Sequence, residues 1–153
     1  MIRRAEQTDK VAVIRLLEQS HRAAGFDRPG GFTFEFDPAY AERLFLVHLM
    51  PRHLCLVLDV EGKFEVQGVL MAVWAEHPFG AVRVARETVW FVDRHYRGVA
   101  AVKMLLDYET WARGQRCQFI GMAGMGDDPE VGQLYLRKGY QVAETHYIKA
   151  LAA

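Results

Sequence analysis

From Trp90 to Gly114 the chain reads WFVDRHYRGVAAVKMLLDYETWARG, an apolar run, a basic turn and a helical pattern. The chemistry open to such a turn is anion binding. A helix start leaves its first backbone N–H groups without partners and carries a partial positive charge, so it attracts phosphate. The donors here are the N–H groups of Gly98, Val99, Ala100, Ala101, Val102 and Lys103, with Arg97 beside them. The turn holds one glycine, Gly98. Backbone donors need glycine only where φ is positive or a ligand must come close. Alanine keeps a helical turn, whereas the branched Val102 can crowd a ligand. The plain alternative is a helix start that binds only water.

Other reactive side chains offer less. Cys55 and Cys117 lie in apolar runs, and Cys117 has no evident activating partner, so both read as reduced core residues. His21, His48, His53, His77, His95 and His146 are scattered, and none stands at metal-ligand spacing to a cysteine or carboxylate. Each reads as a surface or core histidine, and no metal is expected.

The composition sets the frame for this chemistry. A chain of 153 residues suits one domain, spanning 1–153. It is 51% hydrophobic, 25% charged and formally neutral, which disfavours nucleic-acid binding by bulk charge. The opening MIRRAEQTDK lacks the apolar stretch of a signal peptide, and no apolar run approaches the ~18 residues of a membrane span. Two cysteines make no disulfide framework. The expectation is a cytoplasmic protein with no membrane or nucleic-acid partner.

The elements that must position the turn follow from periodicity and turn chemistry. MIRRAE forms a first strand. Asp9 caps a helix over Lys10 to His21, with Val11, Ile14 and Leu17 at helical spacing. Asp37-Pro38 starts a second helix carrying Ala41, Leu44, Phe45 and His48. HLCLVLDV, KFEVQGVLMAVWAE and AVRVARETVWFV read as three antiparallel strands joined by the turns EG and HPFG. The helix after the basic turn runs from about Val99 to Arg113, with Val102, Leu105, Leu106 and Glu109 on one side. CQFIGMAG is a strand, EVGQLYLRK a short helix behind Asp128-Pro129, and YQVAETHYIKAL a last strand. The order is β-α-α-β-β-β-α-β-α-β. It is an α/β fold with a mixed sheet, an antiparallel meander followed by a parallel β-α-β crossover.

This order resembles the GNAT superfamily of N-acetyltransferases over nearly the whole chain. FVDRHYRGVAAVKMLL looks like the family's strand, then Arg/Gln-x-x-Gly-x-Gly/Ala, then helix, with Arg97 at the Arg/Gln position. DPEVGQLYLRKGYQV is similar to the family's Asn-x-x-Ala-x-x-Leu-Tyr-x-x-x-Gly-Phe segment, with Tyr135 on the tyrosine and Gly139-Tyr140 on Gly-Phe. The departures are Ala100 and Val102 at the two small-residue positions and Asp128 in place of the asparagine.

The resemblance implies acetyl-CoA as co-substrate, with its pyrophosphate on the helix start. It implies pantetheine bonded to the backbone of Phe91 and Val92, and Asp128 beside the cofactor. Asp128 also reads as a plain helix cap. Acetyl transfer to an amine needs a neutral amine and a proton for the departing thiolate. Tyr135 matches the family's acid; its alternative is a helix tyrosine packed on the core. Glu87 matches a glutamate that some members use as base through water; its alternative is a salt bridge with Arg83 or Arg86. Alternation puts Glu87 on the face of Val89 and Phe91. Glu76 and His77 are a weaker alternative base. The loop RAAGFDRPGGFTFEF would wall the acceptor cleft, with Phe32, Phe34 and Phe36 lining a groove or anchoring the loop.

Three readings of function follow. The first is an N-acyltransferase moving acetyl from acetyl-CoA to a primary amine, on a small molecule or peptide, by direct attack in a ternary complex. The second is a non-catalytic relative serving as a binding or interaction module. The third is a domain for another anionic ligand at the same helix start. The last strand could pair across a homodimer.

Overall fold

The computed structural model describes residues 1–30, 32–124 and 130–151. Five strands form one sheet in the order β1-β2-β3-β4-β5: β1 Ile2–Arg4, β2 His53–Leu58, β3 Gly68–His77, β4 Gly80–Val92 and β5 Phe119–Gly121. The first four are antiparallel and β5 runs parallel to β4. Helices α1 Lys10–Ala23 and α2 Pro38–His48 precede β2, α3 Val99–Gly114 links β4 to β5, and α4 Glu130–Arg137 follows β5.

The sheet separates two apolar layers. Ala12, Val13, Leu16 and Leu17 of α1, with Ala41 and Phe45 of α2, cover Cys55, Val57, Val69 and Met71 on one face. Met104, Leu105, Tyr108, Trp111 and Ala112 of α3, with Tyr135 of α4, cover Leu54, Leu56, Leu70, Ala72 and Ala85 on the other. The alternation along β2 and β3 assigns each strand residue to its layer. Among the described residues no helix is long and apolar enough to cross a membrane.

Several expectations need correcting. Val11 is exposed, and the buried face of α1 is Ala12, Val13, Leu16 and Leu17. Likewise Leu106 is exposed, because Met104, Leu105, Tyr108 and Trp111 set the buried face of α3. Asp37 does cap α2, accepting the Tyr40 N–H at 3.0 Å. Asp9 makes no such cap; its carboxylate takes the Arg3 guanidinium at 2.8 and 2.9 Å and the Glu6 N–H at 2.8 Å.

The expected last strand is absent: residues 140–151 form no ladder, and Val142, Tyr147, Ile148 and Leu151 are exposed. The edge such a strand would join is short. Three residues of β5 pair with β4, and the carbonyls of Gly121 and Ala123 already accept tyrosine hydroxyls.

Candidate active site

The site begins with an irregularity in β4. Met71 pairs with Val89, but its neighbour Ala72 pairs with Glu87, so Thr88 is an extra residue, a β-bulge. The bulge breaks the alternation. Glu87 therefore does not share the face of Val89 and Phe91, which pack with α1 and α2. Through its partner Ala72 it lies on the α3/α4 face.

Just before Glu87 the parallel ladder ends. The β4–β5 pairs are Val84–Phe119, Ala85–Ile120 and Arg86–Gly121. From Glu87 to Val92 the outer edge of β4 has no strand partner among the described residues. Side chains hold the two backbones there instead. Tyr108 donates its hydroxyl to the Gly121 carbonyl at 3.1 Å, and Tyr135 donates to the Ala123 carbonyl at 2.9 Å. The Ala123 N–H donates to the Glu87 carboxylate at 3.0 Å.

Glu87 is half-buried and has no ion-pair partner among the described residues. The alternative, a bridge to Arg83 or Arg86, does not form; the Arg83 guanidinium lies 4.2 Å from the centroid of the Trp74 ring and donates to the Gln115 carbonyl at 2.8 Å. Burial pushes the Glu87 carboxyl up to about 7, against the opposing pull of the Ala123 N–H. Tyr135 is 9% exposed. Burial, and then the nearby Glu87 carboxyl, raise its hydroxyl well above the ordinary tyrosine range, so it keeps its proton. The Trp90 ring lies 6.2 Å from that of Tyr135, and its buried Nε1 has no hydrogen-bond partner among the described residues. Glu76 and His77 lie apart, four and five residues beyond Ala72, the partner of Glu87; at the rise of a strand Glu76 is about 13 Å away.

At the end of β4 the chain makes the basic turn. Asp93 accepts the backbone N–H of His95 at 2.9 Å and also meets its ring. Arg97 donates Nε to the Val92 carbonyl at 3.0 Å, with its guanidinium carbon 6.0 Å from the Phe91 ring centroid. Gly98 has φ 95°, a conformation that side chains resist, and no atom lies within 4 Å of where a Cβ would be. No side chain caps α3. Its first helical bond runs from the Val102 N–H to the Gly98 carbonyl at 3.1 Å, leaving the N–H groups of Val99, Ala100 and Ala101 without a partner one turn back.

That bond changes the expected donor set. The Val102 N–H is engaged within the helix, and Lys103 lies further in, with Nζ 3.1 Å from Asp107. Among the described residues the N–H groups of Gly98 to Ala101 have no partner, so four of the six expected donors stay open. Both alanines rest on the core. Asp128 lies outside the described residues.

The loop between α1 and α2 carries Phe26, Phe32 and Phe34 as an edge-and-tilt cluster around His21, whose Nε2 lies 2.8 Å from the Phe34 carbonyl. Phe34 and Phe36 also line a hollow of about 440 Å³ together with Glu18, Asp27, Glu35 and Arg22, which pairs with Glu18. Phe36 packs on the α1/α2 core and Phe34 on His21, whereas Phe32 does not line the hollow, whose lining residues are largely charged rather than apolar. Elsewhere, Cys55 is buried and its thiol pushed up to about 12, the state of an inert core residue. No cluster of three metal-binding side chains occurs among the described residues.

Reading residue types missed two groups here. Tyr108 is fully buried, and its hydroxyl reaches the Gly121 carbonyl. His48 is 4% exposed, with Nδ1 2.8 Å from the Leu44 carbonyl and Nε2 2.8 Å from Thr88 Oγ1. No spacing rule links residues 48 and 88.

The mixed sheet whose parallel pair parts beside an uncapped helix start is the fold of the GNAT acetyltransferases. No family model and no curated protein matches the chain. Solved structures do. A ribosomal-protein-alanine N-acetyltransferase from Brucella melitensis is 19% identical at a TM-score of 0.73, covering 99% of this chain and 98% of its own. An acetyltransferase from Trypanosoma brucei is 14% identical at 0.73, covering 99% of each chain. A predicted acetyltransferase from Clostridium acetobutylicum, solved with acetyl-CoA, is 13% identical at 0.75, covering 98% and 95%.

Proposed function

We propose that this chain is an acyl-CoA-dependent N-acyltransferase that moves an acetyl group to a primary amine on a small molecule or peptide. The observation that carries this reading is the junction of two features. The open edge of β4 from Glu87 to Val92 ends at a helix start with three uncapped N–H groups, Arg97 beside it and a positive-φ glycine.

These groups fit acetyl-CoA as donor substrate. The N–H groups of Val99, Ala100 and Ala101 suit a pyrophosphate, and Arg97 adds a charge whose Nε is already fixed to Val92. The outer edge of β4 at Phe91 and Val92, which has no strand beyond it among the described residues, suits the amides of a pantetheine arm, with the Val92 carbonyl already taken by Arg97 Nε. Trp90 Nε1, beside Tyr135, is a buried donor with nothing to donate to among the described residues.

Two side chains then manage protons. Tyr135 stays protonated at neutral pH and can give its proton to a departing thiolate, once the hydroxyl turns from the Ala123 carbonyl. Glu87 has a carboxyl near neutrality, the value suited to accepting a proton through water. Direct attack by the amine is in keeping with the raised thiols of Cys55 and Cys117, neither of which is activated as a nucleophile.

Thermal melting with acetyl-CoA tests the reading. A ligand that binds only the native state stabilises it by about 2.7 kcal/mol at a hundred times its Kd. A rise in Tm is expected at millimolar acetyl-CoA, with free phosphate and ATP competing poorly. No rise would remove the enzyme reading. Binding without acetyl transfer to any amine would favour a binding module on the same fold.

A further inference from the structure

Resting on the acyltransferase reading, we propose that Thr88 and His48 form a proton relay that serves the incoming amine on the α1/α2 face of β4. The arrangement has three members. The Leu44 carbonyl can only accept, so His48 Nδ1, 2.8 Å away, carries a hydrogen. In a neutral ring Nε2 is then an acceptor, and the Thr88 hydroxyl, 2.8 Å away, donates to it. A hydroxyl, a base and a group that orients the base make the pattern that activates hydroxyls in many enzymes.

Position argues for function beyond packing. His48 is 4% exposed, whereas Thr88 is exposed, so the hydroxyl bridges a buried ring and the surface. Thr88 is the bulge residue, immediately past the end of the β4–β5 ladder and next to Glu87. Glu87 faces α3 and α4, tied to Ala123. Thr88 faces α2, in the same layer as Phe36 of the α1–α2 loop. The relay therefore takes an amine that enters on the α1/α2 side. Burial favours the neutral imidazole, and the His53 ring 5.1 Å away adds no negative charge to offset it.

The relay balances without any further reactant. Before attack, one N–H bond of the incoming ammonium breaks, leaving a neutral amine, and an O–H bond forms at Thr88 Oγ1. The original O–H bond of Thr88 breaks and an N–H bond forms at His48 Nε2, giving an imidazolium whose Nδ1–H remains on Leu44. The reverse path returns the proton through Thr88 to water.

Steady-state kinetics tests the relay, with acetyl-CoA and three probe amines: spermidine, lysine amide and an alanyl tripeptide. Thr88→Val is expected to lower kcat about tenfold to a hundredfold, in the range for loss of a proton-transfer group, while KM for acetyl-CoA stays within about twofold. Thr88→Ser, which keeps the hydroxyl, should restore most of the rate. His48→Gln should match Thr88→Val if it folds, and Thr88→Val decides the matter if it does not. Wild-type kcat in Thr88→Val overturns the relay and leaves the acyltransferase reading intact. A loss confined to KM overturns it too, since it makes the pair a brace for the strand. A wild-type protein that binds acetyl-CoA but acetylates none of the amines also overturns it. A wild-type protein with no melting shift fails at the earlier reading.

Discussion

Glu87 and Tyr135 hold opposite sides of one residue's backbone: the Ala123 N–H donates to the Glu87 carboxylate, and the Ala123 carbonyl accepts the Tyr135 hydroxyl. The two groups best suited to move protons are thereby tied together where β5 leaves β4. The Glu87 carboxyl also contributes, after burial, to the raised Tyr135 hydroxyl.

Tyr135→Phe should therefore lower kcat by about tenfold or more, with acetyl-CoA affinity unchanged. Losing the bond to Ala123 should cost about 1 kcal/mol of stability. Calorimetric binding and steady-state rates on one preparation check both parts. An unchanged kcat would strike Tyr135 from the acid role.

Glu87→Gln should alter both pH profiles. The folded carboxyl titrates near 7, above the ordinary value of 4.5. Between those values the folded state holds a proton that the unfolded chain has lost, so this group's contribution to stability falls as pH rises. Glutamine removes that fall, and the variant should gain about 2 kcal/mol over wild type above pH 7 relative to its standing at pH 4. Denaturant melts at the two pH values measure it. The activity limb that rises through pH 7, as the carboxylate forms, should disappear.

Gly98→Ala should destabilise the protein by about 1–3 kcal/mol, since φ 95° with ψ −123° suits glycine and little else. Space is not the obstacle, because nothing lies within 4 Å of the added methyl. The cost is backbone strain at the start of α3, and acetyl-CoA affinity should fall with it. Val102→Ala should leave affinity within about threefold, since its N–H is a helical donor either way. Isothermal titration of both variants separates the two positions.

Tyr108→Phe removes the hydroxyl that satisfies the Gly121 carbonyl and should cost about 1–3 kcal/mol. Because Gly121 is the last paired residue of β5, the loss should also raise KM for acetyl-CoA more than it lowers kcat.

Much of this was legible in the residues themselves. The Asp37-Pro38 start, the HPFG turn and the positive-φ turn at Gly98 before α3 all rest on local chemistry, and each stands where the chain suggests. The resemblance to the GNAT spacing singles out Tyr135 and Glu87, which the fold brings to the two sides of Ala123. What was not legible depends on partners distant in sequence. The face of Glu87 is decided by one unpaired residue, which strict alternation misassigns. The apolar tail reads as a strand, but a strand needs an open edge, and the nearby carbonyls of Gly121 and Ala123 are occupied by tyrosines. His48 and Thr88 lie 40 residues apart and meet only when α2 lies on the sheet.

The single extra residue in β4 acts as a change of phase. Before Thr88 the strand shows Ala85 and Glu87 to the α3 layer; after it, Trp90 and Val92 take up that side. Deleting Thr88 would restore an even count. It would then leave Glu87 and Trp90 both on the α3 side, since their partners Ala72 and Leu70 already alternate with Met71. Drawing Thr88 into a regular ladder would do the opposite and turn Glu87 toward the layer of Leu16 and Phe45 or send Trp90 there, so the looped-out residue is what spares the strand from burying a carboxylate or evicting an indole.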